Sequence, residues 1–182
     1  MVTLRILFKF LNRFFMVPLY RMGLAWLVCN PVSGYIMVIK NLGRKSGKLY
    51  YAPTNYAIMD GCVYCLAGFG PKTHWYRNLK EHPHAELMLP GRTITGEVEE
   101  VHDPDEALKA IRQVFKNAGF AGFFEGFNPW TATDDRFRQT LKRIPVLRIK
   151  PAGIGSGPMD AGGWHWVSWT VATAAALVVL LR

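Results

Sequence analysis

A chain of 182 residues that is half apolar and 13% aromatic is long enough to bury one core, which excludes a disordered segment and a simple coiled coil. Its formal charge of +9 is unevenly placed: no Asp or Glu precedes Asp60, while Arg5, Lys9, Arg13, Arg21, Lys40, Arg44, Lys45 and Lys48 all do. Such a basic end selects an anionic partner, whether lipid head groups, nucleic acid or a phosphorylated cofactor.

Residues 3–28 put Arg5, Lys9 and Arg13 four apart, on one helical face, with apolar residues around them. Pro18 is expected to kink or end this helix, and Gly23 to loosen the chain beyond it. Charges running through the apolar part exclude both a signal peptide and a bilayer span. Two uses fit: an amphipathic helix lying in a membrane interface, or a helix covering the core with its apolar side.

Tyr35 to Leu42 reads as a strand that stops at Gly43, and Tyr50 to Met59 as a second, where Pro53 implies a bulge or an edge. Asp60-Gly61 is a hairpin signal, and Cys62 to Ala67 is the returning strand. Cys62 and Cys65 form C-x-x-C without a second pair or histidines at ligand spacing, so a structural role is expected and no metal. Three cysteines (Cys29 is the third) give no disulfide framework, which suits a reducing, cytoplasmic setting.

Thr73 is placed to cap a helix carrying Trp75, Tyr76, Asn78 and Leu79 and ending near Pro83. Ala85 to Leu89 and Thr93 to Val101 form a hairpin around Pro90-Gly91. Asp103-Pro104-Asp105-Glu106 starts a helix running to about Asn117. Phe120 to Trp130 is aromatic and irregular, a helix spans about Thr133 to Lys142, and Val146 to Ile149 is the closing strand. Short antiparallel strands with helices between them imply a small barrel or an α+β domain.

Residues 151–163 read as a linker rich in glycine and proline. From Trp164 to Leu181 there is no Asp, Glu, Lys or Arg, a length of ~27 Å if helical against the ~30 Å of a hydrocarbon core. Three tryptophans at one end resemble an interfacial belt, so residues 164–182 are expected to be a hydrophobic tail helix held by the membrane. Arg136, Arg138, Lys142, Arg143, Arg148 and Lys150 precede it and place the body on the cytoplasmic face. The chain thus divides into an amphipathic region (1–30), a cofactor-binding body (31–150), the linker and the tail.

G-R-K-S-G at 43–47 offers two cations, a hydroxyl and backbone N–H groups that can wrap an anion, or a turn that is merely solvated. It lacks the Walker spacing. The turn Gly68-Phe69-Gly70-Pro71-Lys72 also lets a backbone approach a ligand, and Trp75 and Tyr76 either stack on a flat ring or pack in the core. No nucleophile–histidine order and no metal-ligand spacing is present, so the difficult chemistry is left to a cofactor.

The run from Ile39 to Gly91 resembles the deazaflavin (F420)-dependent nitroreductase and quinone reductase family. The resemblance rests on G-R-K-S-G, the strand with Pro53, A-G-F-G-P-K at 67–72, and W-Y-R-N-L-K-E-H-P at 75–83. With the N-terminal helix and the closing strand it covers about residues 10–150. It implies an α+β fold: a split β-barrel, FMN-binding-like, with flanking helices. It further implies hydride transfer from coenzyme F420 to a lipophilic acceptor such as a quinone or a nitro compound. In that reading Arg44, Lys45, Ser46 and Gly47 meet the cofactor's phosphate and anionic tail, with Lys72 as a second phosphate contact. Pro53 and Asn55 lie along the cofactor, Ala67, Gly68, Phe69 and Gly70 admit its ring, and Trp75 with Tyr76 wall it. Members that reduce quinones or nitro compounds often carry Ser-Lys-Gly-Gly where this chain has Ala67-Gly68-Phe69-Gly70. Where they have tyrosines on the late helix, this chain offers Phe120, Phe123, Phe124, Phe127 and Trp130 as an acceptor pocket, and no catalytic proton donor is assigned. A carrier that binds deazaflavin without turnover, or a barrel that takes FMN or haem, stays open. The partners expected are a small lipophilic substrate and a membrane surface, with no nucleic acid; monomer and homodimer are both open.

Overall fold

The computed structural model describes residues 8, 10–155 and 165–181. Alternating apolar runs separated by glycine turns give six antiparallel strands: β1 (Ile36–Leu42), β2 (Leu49–Met59), β3 (Cys62–Leu66), β4 (His84–Leu89), β5 (Arg92–Glu100) and β6 (Val146–Ile154). They close into a barrel in the order β1-β2-β3-β6-β5-β4, with β4 pairing back onto β1. This is the barrel with flanking helices that the sequence led us to expect. The Asp60-Gly61 hairpin forms as anticipated, both residues in the left-handed region at φ 50° and 74°.

Side-chain alternation sorts the strands into two faces. Met37 and Ile39 of β1 meet Val63 and Cys65 of β3, Leu87 of β4 and Ile149 of β6 inside the barrel. Burying each large aliphatic side chain there contributes about 1.5–3 kcal/mol. Cys65 belongs to this interior, where burial pushes its thiol up to about 12, while Cys62 packs on the outer face. The two thiols of C-x-x-C therefore face opposite ways and serve as apolar filler.

Helix α2 (His74–Glu81) plugs one end of the barrel by inserting Tyr76 and Leu79 into that interior. Thr73 occupies the N-cap position, but its hydroxyl donates to Gly70 O at 3.0 Å and closes the preceding turn instead of capping the helix. Helix α3 (Pro104–Asn117) is capped by Asp103, whose carboxylate accepts from the Glu106 N–H at 2.7 Å. Its apolar stripe lies on the outer face against Ala57, Tyr64 and Leu66, together with Phe137 of α4 (Asp134–Leu141).

The N-terminal segment bears on the two uses left open by its pattern. Its helix is wound as a π turn over Asn12–Met16 before α1 (Val17–Arg21). Pro18 has no N–H to give the preceding turn and its ring crowds the carbonyl four residues back, which accounts for the widening immediately before it. Tyr20 and Ala25 then pack on Val38 and Met88, covering the outside of the barrel. The opposite side stays bare: Phe10 and Phe15 are each 61% exposed and Trp26 63%.

Two boundaries move. β6 continues through Pro151, Gly153 and Ile154, all paired with β5, so the first four residues expected as linker are strand. The register shifts between Thr95 and Gly96, and proline is tolerated beside such a bulge. The tail forms α5 (His165–Leu180), and among the described residues no helix is long and apolar enough to cross a membrane. Residues 1–7 and 156–164, with most of the expected linker, lie outside the described residues.

The closing strands are tied by charge. Arg148 donates to Glu106 at 2.7 Å and to Glu99 at 2.9 Å, and Tyr64 also donates to Glu106 at 2.8 Å. Lys150 and Arg148 hold the Glu99 carboxyl below the usual range. Burial alone would raise Glu100, but donation from the Tyr76 hydroxyl and Lys80 outweighs it and holds that group low as well. Carboxyls depressed in the folded state stabilise it above their unfolded value of 4.5, and that stabilisation is lost as pH falls through the folded values. Thermal unfolding is expected to be flat from neutrality to about pH 5 and to drop below it. Glu100→Gln should lessen the drop, and an unchanged acid limb in that variant would refute the assignment.

Candidate functional site

Hairpin turn 43–47 sits where β1 ends, and Gly43 is needed there: a Cβ would meet Ser46 Oγ at 2.7 Å and the Tyr50 ring. Gly47 turns at φ 62° and donates to Gly43 O at 2.8 Å. The turn leans on α2. The Arg44 N–H and its Nη1 donate to Asn78 Oδ1 at 3.3 and 3.0 Å, and Nη1 also reaches His74 O at 3.5 Å. Arg44 Nε and Nη2 have no such bond among the described residues. Lys45, Ser46 and Lys48 are exposed beside it, with Ser46 Oγ 3.2 Å from the Tyr50 hydroxyl.

The turn after β3 completes this side. Gly70 N–H donates to Ala67 O at 2.6 Å, and Gly70 itself lies at φ 80°. Space is open beside Gly68, where an added Cβ would meet nothing within 4 Å. Ala67 is buried in the barrel interior, while Phe69 and Lys72 are exposed.

Between the two turns runs an open edge of β2. On its β3 side β2 is paired only over Tyr56–Met59, so Pro53 stands where it has a single strand neighbour, Val38 of β1. That is why a proline is tolerated within the strand. Thr54 Oγ1 bridges the gap to Leu66 O at 3.4 Å. Pro53 and Asn55 share the outward face with Tyr51, which packs beside α1, and Ala57, which packs under α3. Asn55 donates to Tyr35 O at 3.3 Å. The result is a strip along the barrel's outside with cationic turns at one end and helical walls on either side.

Not every expected residue lies on it. Tyr76 is interior, 4% exposed, and its hydroxyl donates to Glu100 Oε2 at 2.7 Å; it is a core residue, not a wall of the groove. Trp75 is half-buried and packs against the same core. Phe127 lies 5.6 Å from Phe115 and 5.3 Å from Phe137, which assigns it to the core under α3 rather than to a pocket. Trp130 is exposed beneath the Lys116 ammonium at 5.5 Å, and Phe123 is half exposed. Phe120 and Phe124 form an edge-on pair at 5.7 Å. Phe8 of the N-terminal segment joins Phe124 at 5.8 Å to Phe69 at 6.4 Å. One aromatic cluster thus links the turn after β3 to the late segment.

Two residues that sequence reasoning did not place in the site complete it, Asn41 and Asn78. Asn41 shares the inward parity of Met37 and Ile39, a polar residue where the strand pattern calls for an apolar one, and that parity was visible in the sequence. Charge is consistent throughout: residues 1–80 contain one acid, Asp60, at the β2–β3 hairpin. A cavity of about 220 Å³ lies elsewhere, lined by Lys80, Pro83, Glu99, Glu100 and His102, with both carboxylates already engaged. Among the described residues no group of His, Cys, Asp and Glu is placed to hold a metal ion.

A family model described as F420H(2)-dependent quinone reductase matches residues 20–125, which include both turns, the β2 edge and α2. No curated protein matches the chain in sequence. Among solved structures, an F420 reductase is 17% identical over 71% of this chain and 94% of its own, with a TM-score of 0.47. An F420-H2-dependent reductase is 22% identical over 63% and 92%, with a TM-score of 0.42. The heme storage protein of Vibrio cholerae is 14% identical over 68% and 86%, with a TM-score of 0.49. None of these likenesses bears on what this chain binds.

Proposed function

The chain belongs to the F420H(2)-dependent quinone reductase family, and from that premise we propose that it reduces a lipophilic acceptor, a quinone or a nitro compound, with reduced F420 at the cytoplasmic face of a membrane. The observation that carries this reading is the docking of the Arg44 turn onto α2 beside the open β2 edge. It sets unspent guanidinium donors, with Lys45, Lys48 and Lys72, at the end of a strip long enough to take an extended anionic cofactor.

The side chains present fit that group. Arg44 and Lys45 would hold its phosphate and acidic tail, with the Ser46 hydroxyl as a further donor and Gly47, at φ 62°, turning the backbone beside it. Pro53 and Asn55 would lie along it, and the space beside Gly68 would admit a flat ring close to backbone. When bound, the reduced deazaflavin supplies a hydride. The protein's part is to orient the ring and keep water from it, which the Phe8, Phe69, Phe120 and Phe124 cluster suits. Its apolar surface favours an acceptor that partitions into lipid.

Titration of the purified protein with F420, FMN and haem, then F420H2 oxidation with quinones and nitroaromatics, tests the proposal. Micromolar F420 binding with turnover of a quinone is the expected result. Saturation by FMN or haem without F420 binding would overturn the cofactor assignment. F420 binding with no turnover of any acceptor would make the protein a carrier.

A further inference from the structure

Between the barrel interior and the charged turn runs a short chain of amides. Asn41 is 1% exposed and Asn78 5%. Asn41 Nδ2 donates to Tyr50 O at 3.1 Å and to Ile39 O at 3.4 Å, and its Oδ1 accepts from Asn78 Nδ2 at 2.9 Å. Asn78 Oδ1 in turn accepts both bonds from Arg44. A buried amide pair is costly to desolvate, and two aliphatic side chains would fill this end of the barrel more cheaply. What the pair accomplishes is to fix a guanidinium that stands at the surface.

Resting on the cofactor reading above, we propose that Asn78, anchored by Asn41, is the positioning residue that aims Arg44 at the cofactor's phosphate. The choice of amide fits the task. An Asp at this position would hold the guanidinium as firmly but cancel its charge, leaving little pull on an anion. A neutral acceptor orients the cation and leaves its charge for the ligand. Of the two bonds it accepts, one comes from the Arg44 backbone N–H and one from Nη1, so that Nε and Nη2 remain for a bidentate contact. Pre-orienting this long side chain spares the entropy of ordering it on binding.

The test is a double-mutant cycle on the full chain, read as the F420 dissociation constant with thermal midpoint alongside. Asn78→Ala should raise the dissociation constant about tenfold in the wild-type background, the size of one loosened charge-assisted bond, and less than about twofold when Arg44 is already Ala. Turnover at saturating F420H2 should stay within about twofold, since the phosphate lies away from the reacting ring. An equal loss in both backgrounds, or no loss in either, would overturn the proposal while leaving the cofactor site standing. A wild-type protein that does not bind F420 would overturn both. Should N78A fail to fold, Asn78→Ser keeps a polar group at the buried position while its shorter side chain falls short of Arg44, and the same cycle on it carries the same outcomes.

Discussion

Replacing Arg44 and Lys45 together by alanine is expected to weaken F420 binding on the order of a hundredfold, about 2.7 kcal/mol. Hydrogen bonds to charged groups are worth ~1.5–3 kcal/mol each. The two losses fall short of additive because both residues act on one anion. Arg44 should account for most of it. Its guanidinium is held in place by Asn78 at 3.0 Å, whereas Lys45 is an exposed cation on a flexible stem and is screened by salt. The difference between wild type and double variant should therefore narrow as ionic strength rises, and R44A alone, which keeps the screened Lys45, should retain more salt dependence than K45A retains. Stability is the control: the turn is at the surface, so the thermal midpoint should move by no more than a few degrees. Affinity unchanged in a folded double variant would return the turn to an ordinary solvated surface.

The strands were legible because their signal is local. The apolar run from Tyr35 to Ile39, in a segment that stops at Gly43, and the Asp60-Gly61 dipeptide define β1 and the β2–β3 hairpin within a residue or two. The ends of the sheet were not. Pro151 and Gly153 carry the composition of a linker, yet β5 offers them a bulge at Thr95 and Gly96, a partner some fifty residues away. Within the site, adjacent Trp75 and Tyr76 cannot share one helix face, and Tyr76 with Leu79 three residues on marks the buried side; helical spacing alone argues for Tyr76 as core. The link between Arg44 and Asn78 spans 34 residues and has no sequence signature, since it exists only once α2 has plugged the barrel. Phe120 to Trp130 has no periodicity to read, so nothing local separates Phe127, which packs beside Phe115, from Phe124, which faces Phe8.

Deleting residues 156–182 is expected to move the protein from the membrane to the soluble fraction and to lower turnover of a long-chain quinone in vesicles by about tenfold, less than the roughly hundredfold or more that losing one arm of a two-point attachment can cost. The cut spares β6, which ends at Ile154, and Gly155, whose N–H donates to Thr93 O at 3.0 Å. Sixteen residues of α5 reach only ~24 Å, short of the ~30 Å hydrocarbon core, so the proposed role is an anchor lying in or dipping into one leaflet. Its described side chains suit that: Val171, Leu177, Val178, Val179, Leu180 and Leu181 are all more than half exposed. The Trp169 indole N–H donates to Met22 O, which roots the helix beside the N-terminal segment whose Phe10, Phe14 and Phe15 are bare. In the proposed anchoring the two would meet the same lipid surface, and the lack of acids before Asp60 favours anionic head groups. A short, water-soluble quinone needs no such delivery, and its turnover should stay within about twofold of wild type, because nothing in the groove has been removed. Changing Phe10, Phe14 and Phe15 to Ser in the full chain should weaken binding to anionic vesicles while sparing the same soluble assay. Equal losses on both quinones would mean that the tail supports the fold, and full retention on both would mean that it delivers nothing to the site; either result would sever the anchor from the acceptor.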